Sequence, residues 1–209
     1  MFERNCRRSI LAAACLTALV FPTRVEAHLV TTGLGPVYDG IGHFFLSPGD
    51  VLAVLALALL AGLRGTAAGR RALFILPVAW LAGGLTGFAT TGSTLLPEGY
   101  VGALSFLILG ILVATDMALP AAVVAGLTAL LGGAHGFFNG RAMQPDGFLQ
   151  CAIQLLGVAV TLFVLVALVS AAAVAAKPIW ARTALRVVGS WIGASGLLWA
   201  GWLFRGCMN

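Results

Sequence analysis

The sequence predicts an all-α fold: a polytopic membrane helix bundle with six transmembrane helices after a cleaved signal peptide. Three observations carry that prediction. The 209 residues are 60% hydrophobic and only 9% charged, against roughly 25% charged in a soluble domain, so the chain has too little polar surface to cover itself in water. Its apolar residues gather in windows as long as a bilayer requires. Its basic residues lie in short runs between those windows, which is a topology signal even with a pI near 9.6. The expected partner is therefore a lipid bilayer and not nucleic acid.

Arg4, Arg7 and Arg8 precede "ILAAACLTALV", an apolar run too short to span, and "VEA" supplies small residues for cleavage after Ala27. An uncleaved anchor is the alternative. Residues 1–27 thus read as signal peptide and residues 28–209 as the transmembrane domain. The first span runs from Pro48 to Leu63, short enough that part of "YDGIGHFF" extends it as a broken or re-entrant segment. The others are about Ala72–Thr91, Pro97–Ala114, Leu119–Phe138, Phe148–Ala175 and Arg182–Phe204, the fifth long enough to tilt. Glycines within the spans let helix backbones approach closely. Arg64, Arg70, Arg71, Lys177, Arg182 and Arg186 fall in loops on one side, with Arg141 and Arg205 on the other. The first side is expected in the cytoplasm. A removed leader requires the same orientation. The expected location is a bacterial inner membrane, multi-pass, with both termini periplasmic.

Given that topology, the polar residues collect on the outer side. His28, Asp39, His43 and Asp50 lie before or at the start of the first span, and Glu98 begins the third. His135 and Asn139 close the fourth, and Met143 follows. Asp39 and His43 are spaced i,i+4, as are His135 and Asn139, so each pair shares a face if helical. Imidazole nitrogen with carboxylate and amide oxygen suits a divalent transition metal such as nickel, cobalt, copper or zinc. Placing such groups near lipid is costly unless they pair or bind something.

Each residue also has a quieter reading. "SPGD" has the pattern of a capping box, with Ser47 as N-cap and Asp50 at the third helical position, a role compatible with ligation. Glu98 complements a helix dipole, His28 reads as a solvated terminal residue, and Met143 as an ordinary loop residue. His43 and His135 read alternatively as hydrogen-bonded structural histidines. Cys151 and Cys207 both fall on the oxidising side, where a disulfide is permitted; free thiols or a thiolate ligand are the alternatives. Ser93 has no Gly-x-Ser pattern, Gly193-Ala194-Ser195 is one but the last two spans hold no histidine, and no HExxH occurs, so the chain does not read as an enzyme.

"LTGFATTGSTLLPEGYVGALSFLILGILVA" and "LLGGAHGFFNG" resemble the HupE/UreJ family of hydrogenase and urease accessory membrane proteins, regarded as nickel or cobalt permeases. The resemblance runs from about Gly35 to Met143 and implies roles for His43, Asp50, Glu98, Ser105 and His135. Phe44 stands where the family has proline, Val51 where it has a second histidine, and Asn139 where another histidine is common. Asp50 also lies one residue further from His43. The implied site is a thinned one.

The expected function is a permease for a divalent transition-metal ion. The ion would be captured at a periplasm-facing site of His28, Asp39, His43, Asp50, His135 and Asn139, with Glu98, Ser105 and Met143 in supporting positions. Neutral imidazoles are needed for ligation, so uptake should weaken as pH falls toward ~6. The alternative is a non-transporting metal-binding protein that serves a metalloenzyme or its maturation factors. The missing histidines favour it.

Overall fold

The computed structural model describes residues 32–90, 94, 97–143 and 147–206. The predicted leader, His28 and Cys207 lie outside the described residues. Every element within them is α-helical: α1 (Pro36–Leu46), α2 (Pro48–Leu63), α3 (Thr66–Ala89), α4 (Glu98–Thr115), α5 (Ala121–Ala142), α6 (Phe148–Ala175) and α7 (Ile179–Gly206). Helix starts follow the punctuation of the sequence. Pro48 opens α2, Pro97 and Pro120 precede α4 and α5, and Gly147 precedes α6. Proline suits these positions because the first-turn amide has no intrahelical partner to lose.

Helices α3 to α7 are each long and apolar enough to cross a membrane, and α1 with α2 pass the same test as a pair bent by 82°. The chain is a multi-pass membrane protein, with five such helices among the described residues, or six spans if the bent pair is one. The broken first span matches the expectation. Three boundaries differ from it, one being that α7 begins at Ile179, three residues early, so Arg182 and Arg186 are helical. Helix α3 begins at Thr66, six residues early, so Arg70 and Arg71 are helical. Helix α5 continues to Ala142, so Asn139 lies inside it and not at its end.

Helix α2 is the hub, packing against all six other helices. It is apolar on every side, and Val54, Leu57 and Leu60 are buried around its circumference, as expected of a helix enclosed by others. The most extensive pairings around it are α3 with α5 and α4 with α7. Glycine makes both possible. A β-carbon at Gly136 would collide with the Trp80 carbonyl on α3, and one at Gly110 with the Gly193 backbone on α7. In lipid, such close backbone contact stands in for the hydrophobic drive available in water.

At the arginine-rich end, the α2–α3 loop and the first turns of α7 converge on Asp116, which ends α4 in the left-handed conformation at φ 50°. The Arg64 guanidinium, between α2 and α3, donates to the Asp116 carboxylate and to its carbonyl oxygen. Arg182 Nη2 on α7 lies 3.9 Å from Asp116 Oδ2, and Arg186 Nε donates to the Ala114 carbonyl at 2.8 Å. Burial, and then the neighbouring Arg182, lowers the Arg64 guanidinium from its ordinary value. This end is latched.

Candidate functional site

At the opposite end, α2, α4 and α5 bring Asp50, Ser105, His135 and Asn139 together. Asp50 sits in the first turn of α2, where Pro48 starts the helix directly after the bend. His135 and Asn139 project from one face of α5, one turn apart. The Asp50 carboxylate bridges them: His135 Nδ1 lies 2.9 Å from Asp50 Oδ1, and Asn139 Nδ2 donates to Asp50 Oδ2 at 3.0 Å. The other ring nitrogen, His135 Nε2, lies 3.1 Å from Ser105 Oγ on α4. Ser105 Oγ also lies 2.7 Å from the Val101 carbonyl, so its single proton serves either that carbonyl or the ring nitrogen.

His135, Asn139 and Ser105 are buried and Asp50 is partly exposed. The imidazole stacks on the fully buried Trp80 indole at 5.9 Å, with ring planes 22° apart, and Phe44 closes the far side of that indole edge-on. Gly136 seats this stack, since its missing side chain lets α5 lie against the Trp80 backbone. The ring is thus held by hydrogen bonds at both nitrogens and by stacking on its face. One acceptor is left over: Asn139 Oδ1 is buried without a hydrogen-bond partner. Leaving such an atom unsatisfied costs about 1–3 kcal/mol.

A cavity of about 260 Å³ opens onto this group, lined by Asp50, His135, Glu98, Gly49, Gly102 and Trp199 among others. Trp199 of α7 forms one wall and packs edge-on against Phe106 at 5.6 Å. It fits only because Gly102 is small, since a β-carbon there would come within 2.5 Å of the indole. Glu98, at the start of α4, adds a carboxylate to the cavity lining.

The residues singled out from sequence divide accordingly. Asp50, His135 and Asn139 meet, joined by Ser105, and Glu98 lines the approach. Asp39 is helical with His43 on α1, as the spacing predicted. Its Oδ1, however, accepts from the Thr32 amide at 2.6 Å and hydroxyl at 2.7 Å, so it secures the entry to α1. The half-buried His43 stands in the last turn of α1. Met143 is buried in the hydrophobic core. Cys151 is a buried thiol without a disulfide among the described residues. Among those residues, no three His, Cys, Asp or Glu side chains gather closely enough to hold a metal ion.

The capping box at "SPGD" is not formed. Ser47 is the N-cap of α2, but it makes no side-chain capping bond. Its hydroxyl reaches back to the His43 carbonyl at 3.0 Å, and the Asp50 carboxylate points across to α5. The 82° bend explains this, because the Ser47 hydroxyl satisfies a carbonyl freed at the end of α1. Trp80 and Trp199 had no signal of their own. Each lies in an apolar run where any large residue reads as core.

The family model for HupE / UreJ proteins matches residues 16–199. The chain belongs to the HupE / UreJ family. No curated protein and no solved structure matched it significantly. The family match extends past Met143 into α6 and α7, which hydropathy alone had supported. HupE / UreJ proteins are linked to nickel and cobalt transport or to accessory roles for metalloenzymes.

Chemically, the group offers a carboxylate, an imidazole and a spare amide oxygen, which is a donor set for a divalent borderline cation. The order Asp50–His135–Ser105 resembles a hydrolytic relay. Ser105, however, lies inside α4, where the helix engages the backbone amides, so they are not free to form an oxyanion hole.

Proposed function

We propose that this HupE / UreJ protein is a permease that captures a divalent transition-metal ion, of the nickel or cobalt class, from the periplasm. It would lie in a bacterial inner membrane with both termini periplasmic. Asp50 and His135 are the primary ligands, Asn139 Oδ1 is the third, and Glu98 draws the hydrated ion into the cavity. Ser105 orients the ring. The observation that carries this reading is the orphaned Asn139 oxygen beside a carboxylate–imidazole pair that lines the cavity of about 260 Å³. A cation in that position would give the oxygen a partner. His43 and His28 belong to the approach in this reading.

In the expected orientation, the membrane potential favours inward movement of a cation by roughly 2.3 kcal/mol per charge per 100 mV. The test is accumulation of labelled nickel or cobalt in cells expressing the protein, beside cells expressing Asp50→Asn plus His135→Ala at equal membrane abundance. The reading expects the double variant to drop to the level of cells without the protein. Equal accumulation would overturn it.

A second reading, metal holding for a metalloenzyme or its maturation factors, is favoured by one observation. The Thr128 hydroxyl, buried in the bundle, donates to the Val124 carbonyl of its own helix, and the far end is latched at Asp116. Metal bound by protein in sealed vesicles with no flux into the lumen would select this reading.

A further inference from the structure

At the arginine-rich end a groove of about 670 Å³ opens between the first turns of α3 and the last turns of α6. Leu73, Ala171 and Val174 form apolar walls, and the Ser170 hydroxyl also lines the groove. Arg70, from α3, and Lys177, just past the end of α6, stand at its rim, both exposed. No carboxylate among the described residues forms a salt bridge with either of them. The described carboxylate at this end, Asp116, is already held by Arg64 and Arg182. The groove therefore joins an uncompensated double positive charge to a hydrophobic slot large enough for a ligand of several dozen atoms.

We propose that this groove binds one anionic phospholipid, with its phosphate between Arg70 and Lys177 and an acyl chain along Leu73, Ala171 and Val174. The combination selects the occupant. A zwitterionic lipid would leave the two cations unbalanced, and a free phosphate would leave the apolar walls unused. Basic pockets between transmembrane helices recognise anionic headgroups in this way. Long basic side chains also reach headgroups readily, because their stems lie along apolar surface while the charge stays wet.

The test is native mass spectrometry of the full-length protein in mild detergent, offered phosphatidylglycerol or phosphatidylcholine with identical acyl chains. The wild-type protein should retain one phosphatidylglycerol in clear preference to phosphatidylcholine. Arg70→Gln with Lys177→Gln should weaken that retention about thirtyfold, two basic contacts being removed. Arg205→Gln, at the other end of the bundle, should leave it unchanged. Ala171→Trp fills the slot without altering charge and should also abolish retention, so it carries the test if the double variant does not fold. Equal retention of the two lipids by the wild type would overturn the proposal, as would undiminished preference in the double variant or in Ala171→Trp. Displacement by glycerol phosphate as effective as by the lipid would also overturn it, since the site would then be one for a free anion.

Discussion

Asp50 and Asp116 sit at opposite ends of the same bundle, and their partners differ in kind. Asp116 is gripped by Arg64 and faced by Arg182, two guanidiniums that neutralise it completely. Asp50 is bridged by an imidazole and a primary amide, the latter with an unsatisfied oxygen beside it, and opens onto a cavity. A carboxylate already matched by fixed cations has little left to offer a mobile one. A carboxylate held by an amide and an imidazole keeps its attraction for a cation, and its neighbours offer further donor atoms. One aspartate fastens the α2–α3 loop and the start of α7 to the end of α4; under the proposed function the other receives an ion.

The contrast predicts opposite phenotypes. Asp50→Asn should lower metal affinity by at least about tenfold, as loss of a ligand or of its orienting partner does, while thermal unfolding of the purified protein stays close to wild type. Asp116→Asn should do the reverse. Arg64, its close partner, is largely shielded from solvent, so the expected loss is about 2 kcal/mol, between the values for surface and buried pairs, and it is read as a lowered Tm with metal affinity retained. If Asp116→Asn lost the metal and Asp50→Asn lost stability, the two assignments would be exchanged.

Smaller effects sharpen the comparison. Ser105→Ala removes the hydrogen bond at His135 Nε2 and should cost about 1 kcal/mol of metal binding, seen as a roughly fivefold weaker Kd in a calorimetric titration. Arg182→Gln removes a longer, half-exposed contact to Asp116 and should cost less than about 1 kcal/mol of stability, visible only as a slight shift in thermal unfolding.

The helices were legible because their signals are local. Continuous apolar runs, Pro48, Pro97, Pro120 and Gly147 marked most of the spans, and the His135–Asn139 spacing showed that one helix face carries both. What the sequence could not reveal is which polar groups meet. Asp50 and His135 are 85 residues apart, and their contact depends on the bend at Ser47, on the seat that Gly136 makes for Trp80, and on α2 lying at the centre of the bundle. Local pattern was misleading where it competed with that geometry. "SPGD" has capping-box chemistry, yet the bend turns the Ser47 hydroxyl backward and frees Asp50. Asp39 has the spacing of a ligand, yet Thr32 takes its oxygen. The role of Asp116 carried no sequence signal, because the meeting of Arg64, Arg182 and the end of α4 is purely tertiary.

The most direct test of the central claim is equilibrium binding of nickel or cobalt to the purified full-length protein, comparing wild type with Asp50→Asn, His135→Ala and Asp116→Asn. Wild type and Asp116→Asn should bind one ion per chain with similar affinity, and the other two variants should lose that ion. Unchanged stoichiometry and affinity in Asp50→Asn and His135→Ala would contradict the account.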